Sequence, residues 1–415
     1  MTTPHLTRRR LFQATSGAAV GLAGAGVPAY AAGSGADRPD RAVVPFHGAH
    51  QAGIVTPPPD RLMFAAFDLT IATAGELREL LQVWTEAAAR MTAGHPAGPP
   101  GRALDAAPKD TGEALGLPPS SLTVTFGLGP DVFLQDGHDR FGLAARRPRP
   151  LAPLGPLPGD RLDPSRSGGD LCIQACADDP QVAFHAVRNL TRLARGAAVM
   201  RWTQLGFGRA ASTSRAAVTP RNLQGFKDGT NNLDAGDAAE MRRYVWAGDD
   251  EPQAWMRGGT YVVTRRIRML IEKWDASTLD DQQETIGRKK ISGAPLGEKR
   301  EHDPVDLSAR KPDGVPEIPM DAHIRLASHA TNHGVRILRR GYNFTDGIDP
   351  ATGQLDAGLF FVCFQRDPHA QFAVLQRRLG ANDALNEYIE HRSSAVFAIP
   401  AGIARGGYVG HRLFA

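Results

Sequence analysis

Residues 171–184, LCIQACADDPQVAF, and residues 359–372, LFFVCFQRDPHAQF, align without a gap at an offset of 188 positions. In both segments an apolar run typical of a strand is followed by Asp-Pro and then by apolar residues at helical spacing. Pro directly after an Asp favours a helix start, because the Asp side chain caps free N–H groups and Pro has none to satisfy. The match predicts a duplicated chain, with chance similarity as the alternative.

The elements before these two segments also occur in the same order. In the first half they are a strand, RLMFAAFDLT, a helix, TAGELRELLQVWTEAAARM, and a strand, SLTVTFGLG. In the second half they are GTYVVTRRIRML, TLDDQQETIGRKK and VRILRRGYNF, again strand, helix and strand. We therefore predict an α+β protein of two tandem ferredoxin-like domains, each with an antiparallel sheet and helices. The predicted domains are residues 61–235 and 236–415, and a last helix is predicted at 382–391, NDALNEYIEH.

The first 31 residues have the three parts of a cleavable export signal. Arginines at positions 8–10 precede a weakly apolar Ala/Gly run, which ends in a small-x-small sequence at 29–31. Paired arginines before hydrophobic residues indicate the twin-arginine route, so we expect a periplasmic or extracellular protein. A disordered basic tail is the alternative. Residues 32–60, rich in Ala, Gly, Pro and Asp, are predicted to form an extended arm.

The bulk composition excludes two classes of protein. No run of about twenty apolar residues is present, which argues against a transmembrane helix and stable membrane insertion. Removal of the signal lowers Lys plus Arg from 48 to 45 against 44 Asp plus Glu, so nucleic-acid binding has no electrostatic support.

Cys172 and Cys176 lie about 13 Å apart in one predicted strand, too far for a disulfide. With Cys363 they are expected to be buried thiols.

A glycine-flanked acid, in GFKDGT at residues 225–230, is the first candidate for chemistry. Gly225 and Gly229 permit positive φ and close approach of the backbone to a flat ligand. Asp228 between them is expected to be fixed by local hydrogen bonds. On local grounds alone, an ordinary Asp-Gly turn is the simpler interpretation.

A second candidate is the histidine- and arginine-rich segment 321–344, DAHIRLASHATNHGVRILRRGYNF. Its histidine spacing fits no zinc signature. A haem iron needs only one proximal histidine, and His323 in AHIRLA is isolated enough to be that ligand. His329 and His333 lie in a polar, turn-like stretch and are expected to be exposed. A purely structural role is the alternative for each of these histidines.

The motifs GFKDGT, IGRKKISGAPLG, DAHIRLA, ILRRGYNF and GLFFVCFQRDP follow the order found in dye-decolorizing peroxidases. The chain resembles most closely the exported, twin-arginine-dependent branch that includes the iron-transport-associated periplasmic deferrochelatase/peroxidase. This resemblance extends over residues 45–402. It implies two ferredoxin-like halves with one b-type haem per chain held in the second, in agreement with the duplication.

The resemblance also implies roles for individual residues. His323 corresponds to the proximal iron ligand, and Asp228 and Arg339 correspond to residues on the face that binds peroxide. The further residues expected to line the haem or meet a propionate are Gly229, Thr230, Asn231, Arg288, Ser328, His329 and Ala330.

Two points in this assignment depart from the family or extend it. Close relatives tend to have Asn-Pro-Arg where this chain has Ser-His-Ala at 328–330, so a propionate contact made by that Arg must be made otherwise here. A protonated His329 is one replacement. An acid is expected to accept the second ring proton of His323, and Glu390 is the first candidate, with Glu387 the second.

The resemblance implies a haem-dependent peroxidase that reduces hydrogen peroxide to water through a ferryl state. Its reductants would be dyes, phenols or other small one-electron donors. A protein that binds haem and releases its iron, without peroxidase turnover, is the alternative function. An interaction domain without haem is a third interpretation, since ferredoxin-like folds serve many purposes.

Overall fold

An antiparallel sheet of nine strands runs through the part of the chain that the computed structural model describes, residues 42–99, 104–210, 213 and 218–415. The predicted export signal, at residues 1–31, lies outside these residues. The strands are β1 Arg61–Leu69, β2 Thr123–Leu128, β3 Leu171–Ala177, β4 Ala198–Arg209, β5 Thr260–Met269, β6 Leu338–Arg339, β7 Tyr342–Ile348, β8 Leu355–Gln365 and β9 Ile389–Ile399.

The two halves of the chain pair their strands in the same way. In the first half, β1 lies between β3 and β4, and β2 pairs with β3. In the second half, β5 lies between β8 and β9, and both β6 and β7 pair with β8. The predicted α+β fold with duplicated ferredoxin-like halves is confirmed. The boundary between residues 235 and 236 stays a prediction.

The sheet closes on itself. The halves join where β2 pairs with β9, at Leu128 and Ala398, and where β4 pairs with β7, at Phe207 and Asn343. Because β5 pairs with β8 as well as with β9, eight of the strands form a closed sheet. The ninth strand, β6, also pairs with β8. Aromatic residues of both halves pack together in one buried cluster, including Phe64, Trp202, Phe344, Phe360 and Phe397.

Seven α-helices are present in the described residues: α1 Ala74–Thr92, α2 Pro180–Leu193, α3 Ala238–Tyr244, α4 Ile271–Asp275, α5 Leu279–Ile286, α6 His323–Leu326 and α7 Phe372–Asn382. The first helix begins with a capping box between Thr73 and Glu76. The second begins as predicted, because Asp179 caps the N–H groups of Gln181 and Val182 and Pro180 occupies the first turn. No helix of the described residues is both long enough and apolar enough to cross a membrane.

The corresponding helix start in the second half was predicted wrongly. The Asp367 carboxylate accepts hydrogen bonds from the N–H groups of His369 and Ala370, at 2.8 and 3.0 Å, but α7 begins only at Phe372. Gln371 interrupts the helix, with φ −117° and ψ −80°. Its side-chain amide donates to the carbonyls of Tyr244 and Arg336, and these tertiary hydrogen bonds hold the residue out of helical geometry.

Two further predictions differ from the structure, and one strand was missed. The strand predicted over VRILRRGYNF is two strands, β6 and β7, separated by Arg340 and Gly341. The patterns did not predict β4. The helix predicted at 382–391 is wrong: Ala384–Glu387 forms one 3₁₀ turn, and β9 begins at Ile389 because it pairs with Met269 of β5. Tertiary pairing overrides the local helical pattern here.

The core of the first half forms between α1, α2 and the sheet. Trp84 of α1 is fully buried, packs against Phe67 and Phe126, and donates its indole N–H to the Leu190 carbonyl at 2.9 Å.

Residues 42–60, the described portion of the predicted arm, form turns anchored by Gln51, whose amide donates to the carbonyls of Phe126 and Pro400 at 3.0 Å each. Among the described residues, all three cysteines are free and buried, as expected.

Replacement of Trp84 by alanine is expected to lower the free energy of unfolding by about 3–5 kcal/mol, because it leaves a large cavity and removes a buried hydrogen bond. The matched control is Val83→Ala on the same helix, since Val83 is 42% exposed. The control is expected to change stability by less than about 0.5 kcal/mol. Urea unfolding followed by circular dichroism measures both, and equal shifts would contradict the packing described.

Candidate functional site

A cavity of about 250 Å³ lies in the second half of the chain. One wall is the sheet, where β5, β8 and β9 contribute Ile267, Leu359, Phe361 and Ile389. Helices α6 and α7 contribute further lining residues, and the loop at 222–231 also borders the cavity. Much of the lining is aliphatic or aromatic, so the cavity suits a flat apolar group.

His323, the first residue of α6, lines this cavity. Its Nδ1 lies 2.6 Å from Oδ2 of Asp383, whose side chain is 3% exposed. A carboxylate only accepts hydrogen bonds, so Nδ1–H donates, and Nε2 has no hydrogen-bond partner among the described residues. Burial lowers the pKa of His323, but the Asp383 charge and hydrogen bond outweigh it, and the net pKa is raised. Asp383 thus fixes the tautomer and the orientation of the ring.

The acid beside His323 was predicted wrongly. Glu390 lies on β9 and pairs with Arg161 at 2.6 Å, whereas Glu387 pairs with Lys273 at 2.8 Å. The error follows from the incorrect helix at 382–391, which hid the position of Asp383 at the start of a 3₁₀ turn. There its Oδ1 also accepts the N–H of Leu385 at 2.9 Å.

The loop that carries Asp228 is closed by its own backbone. The N–H of Asn222 donates to the Phe226 carbonyl at 3.0 Å, and the N–H of Asp228 donates to the Pro220 carbonyl at 2.9 Å. Gly225 and Gly229 have φ of 83° and 99°, which only glycine adopts readily. This geometry presents the Asp228 side chain to the cavity.

Asp228 and Arg339 meet at the cavity. Nη1 of Arg339 donates to Oδ1 of Asp228 at 2.5 Å. Asn232 holds the Arg339 backbone, because its side-chain amide accepts the Arg339 N–H and donates to the Arg339 carbonyl, both at 2.8 Å. Asn232 was not predicted, and only its position two residues after the GFKDGT motif points to it. The carboxylate and the guanidinium are therefore fixed relative to each other.

The structure places the other predicted residues around this centre. Arg288 is 7% exposed and donates to the carbonyls of Gly293 and Glu301, and burial lowers its pKa to about 10. Ala330 is outside the cavity lining, whereas the remaining predicted residues line the cavity together with Arg288: Gly229, Thr230, Asn231, Ser328 and His329.

The cations of the lining differ in their partners. Four of them form an ion pair with a carboxylate: Lys227, Arg265, Arg336 and Arg339. Among the described lining residues, Arg288 has hydrogen bonds only to backbone carbonyls. A buried guanidinium without an ion-pair partner favours binding of an anionic group nearby.

The residues of the cavity fit a haem. The described part of the chain has no group of three or more His, Cys, Asp or Glu that could hold a metal ion. Nε2 of His323 would hold the haem iron. The apolar walls suit a porphyrin, and Arg288 suits one of its carboxylates.

Comparison with known proteins identifies the family. The model for the N-terminal domain of Dyp-type peroxidases matches residues 51–208, and the model for the C-terminal domain matches residues 219–404. A Deferrochelatase of Escherichia coli O6:K15:H31 (strain 536 / UPEC) is 38% identical over 375 residues, which cover 89% of this chain and 86% of the relative. A Dye-decolorizing peroxidase of Thermobifida fusca (strain YX) is 41% identical over 381 residues, which cover 88% of this chain and 84% of the relative.

Solved structures of similar proteins have the same fold. Ferric DtpA from Streptomyces lividans superposes with a TM-score of 0.82 at 42% identity, over 91% of this chain and 98% of DtpA. A DyP-type peroxidase from Cellulomonas bogoriensis superposes with a TM-score of 0.80 at 43% identity, over 91% of this chain and 99% of that protein. This chain therefore belongs to the Dyp-type peroxidase family, and it is a haem peroxidase.

Proposed function

We propose that this haem peroxidase uses His323 as the proximal ligand, and Asp228 and Arg339 as the residues that act on peroxide. The observation that carries the proposal is the contact between Arg339 and Asp228 at 2.5 Å, in the same cavity as a histidine whose Nδ1 is held by Asp383. The substrates are hydrogen peroxide and one-electron donors such as dyes or phenols. Bound haem supplies the redox chemistry between them.

Asp228 moves the proton in this reaction. Its carboxylate takes the proton from one peroxide oxygen and delivers it to the other, so that water can leave. The loop geometry supports this role, because the hydrogen bond from the Asp228 N–H to the Pro220 carbonyl fixes the backbone from which the side chain extends. General acid–base catalysis of this kind contributes about 10²–10⁴-fold to a rate.

Arg339 stabilises the negative charge that develops as the O–O bond breaks. Its guanidinium is already oriented by Asp228, and its backbone is held by Asn232. A donor fixed in advance loses little free energy to reorganisation during the reaction, which makes it effective.

The remaining residues hold the cofactor. Asp383 orients His323 and increases the electron donation of the imidazole to the iron. Arg288, buried and with no ion pair to another described residue, is proposed to meet a propionate, as are Ser328 and His329 of the cavity lining. Gly229, Thr230 and Asn231 are proposed to lie along the haem edge.

A second candidate function is the release of iron from haem. The similarity to the Escherichia coli protein named Deferrochelatase favours it. This function would need the cavity and His323, but it would not need proton transfer by Asp228 to peroxide.

We also propose export by the twin-arginine route, on the basis of the arginines at positions 8–10. Cell fractionation tests that proposal, which requires the mature chain outside the cytoplasm.

Substitution Asp228→Asn removes the base but preserves the shape of the side chain. The reaction with equimolar peroxide, followed by stopped-flow absorbance, is expected to slow by about 100-fold or more. Arg339→Leu is expected to slow it by a similar factor. Both variants should keep their haem. Asp280→Asn, at an exposed position of α5, is the control and should react at the wild-type rate. A wild-type rate for Asp228→Asn would remove the proton-transfer role and favour iron release.

Substitution Asp383→Asn tests the partner of the proximal histidine. Loss of the charge beside Nδ1 makes the imidazole a weaker electron donor, so the reduction potential of the haem iron should rise. The peroxide rate or the haem affinity should fall by about 10–100-fold. Glu390→Gln is the matched control and should leave the potential unchanged. Spectroelectrochemical titration measures the potential, and a shift in Glu390→Gln alone would overturn the assignment.

A further inference from the structure

Glu301 holds the GFKDGT loop on both sides of Asp228. Its Oε2 accepts a hydrogen bond from Nζ of Lys227, and its Oε1 accepts one from the hydroxyl of Thr230 at 3.1 Å. Lys227 directly precedes Asp228, and Thr230 follows Gly229. A single carboxylate therefore binds the residue before Asp228 and the second residue after it.

Glu301 itself is firmly held. Its side chain is only 12% exposed, and the hydroxyl of Thr219 donates a further hydrogen bond to it. Nη1 of Arg288 donates to the Glu301 carbonyl at 3.1 Å. Burial alone would raise the pKa of Glu301, but the hydrogen bonds from Lys227, Thr219 and Thr230 lower it below the usual value. Glu301 is therefore an anion at neutral pH.

Glu301 adds a side-chain restraint to the backbone hydrogen bonds that close this loop. Gly229 imposes little conformational limit of its own. The hydrogen bond from the Asn222 amide to Oδ2 of Asp228 is long, at 3.5 Å, and therefore weak. Apart from that bond, the Asp228 carboxylate is oriented by its ion pair with Arg339. Because Lys227 is drawn to Glu301, the loop backbone can present the next side chain to the cavity.

Glu301 also neutralises Lys227. Lys227 lines the same cavity as Asp228 and Arg339, and its ammonium pairs with Glu301. Without that partner, the ammonium would compete with Arg339 for the Asp228 carboxylate. The side chain of Glu301 is not part of the cavity lining, so it acts through the loop and not on peroxide or haem.

We propose that Glu301 is a positioning residue for the peroxide reaction. Its carboxylate accepts hydrogen bonds from Lys227 and Thr230 and thereby sets the orientation of Asp228. The proposal rests on the proposed proton-transfer role of Asp228. It also assigns a role to Lys227, as the partner through which Glu301 acts.

A double-mutant cycle in the purified holoprotein tests this. Glu301→Gln removes the charge and replaces one of the two acceptor oxygens with a donor, and it should slow the reaction with peroxide by about 10-fold. In an Asp228→Asn background the same substitution should cause no further loss, because both changes act through one group. Lys299→Ala, at an exposed position of the same segment, is the control and should change nothing.

A second measurement does not depend on activity. Hydrogen–deuterium exchange of the holoprotein should show faster exchange at the amides of residues 226–230 in Glu301→Gln, with unchanged exchange in α1. The Soret absorbance should stay the same, because His323 is untouched. Lys227→Met should reproduce the faster exchange, and it provides a second variant if Glu301→Gln folds poorly.

The outcomes separate the two proposals. A wild-type rate for Asp228→Asn overturns the proposed function. A slow Asp228→Asn together with wild-type rate and exchange for Glu301→Gln overturns the positioning role alone. An equal further loss in the Asp228→Asn background also overturns it, because Glu301 would then act independently of Asp228.

Discussion

The ion pair between Asp228 and Arg339 is the interaction on which the site depends. It joins the loop at 222–231 to β6, a strand of only two residues, and Asn232 strengthens the junction by holding the Arg339 backbone. The same loop borders the cavity, and Glu301 holds it from outside. The proposed base, the cation proposed to act with it and the wall of the cofactor cavity are thus joined by direct contacts, so that little reorganisation would be required during reaction.

The duplicated fold explains why the cavity lies in the second half. The two halves pair their strands alike, but their helices differ. In the first half, α1 and α2 cover the sheet with 19 and 14 residues, and their apolar faces fill the core. In the second half, the segment between β5 and β6 has the short helices α4, α5 and α6, of 5, 8 and 4 residues. A sheet face that helices do not fill leaves room for a large cofactor.

The sequence was informative where the pattern is local or the motif is specific. The repeat at an offset of 188 predicted the duplicated fold, and the family resemblance placed Asp228, His323 and Arg339 in one site. Predictions from local sequence patterns were wrong where tertiary contacts override local preference. Gln371 delays α7 through hydrogen bonds to distant carbonyls, and Ile389 joins β9 by pairing with β5. Asn232, Glu301 and Asp383 act through contacts 60 or more residues away, which spacing does not reveal.

The absorbance spectrum of the purified protein, before and after one equivalent of hydrogen peroxide, tests the central claim most directly. The wild-type protein should show a Soret band, and this band should be absent from His323→Ala. In the wild type, the band should shift on mixing with peroxide and return when a one-electron donor is added. Loss of the band with release of free iron, without oxidation of the donor, would contradict the peroxidase mechanism. A wild-type protein without a Soret band would contradict the haem site itself.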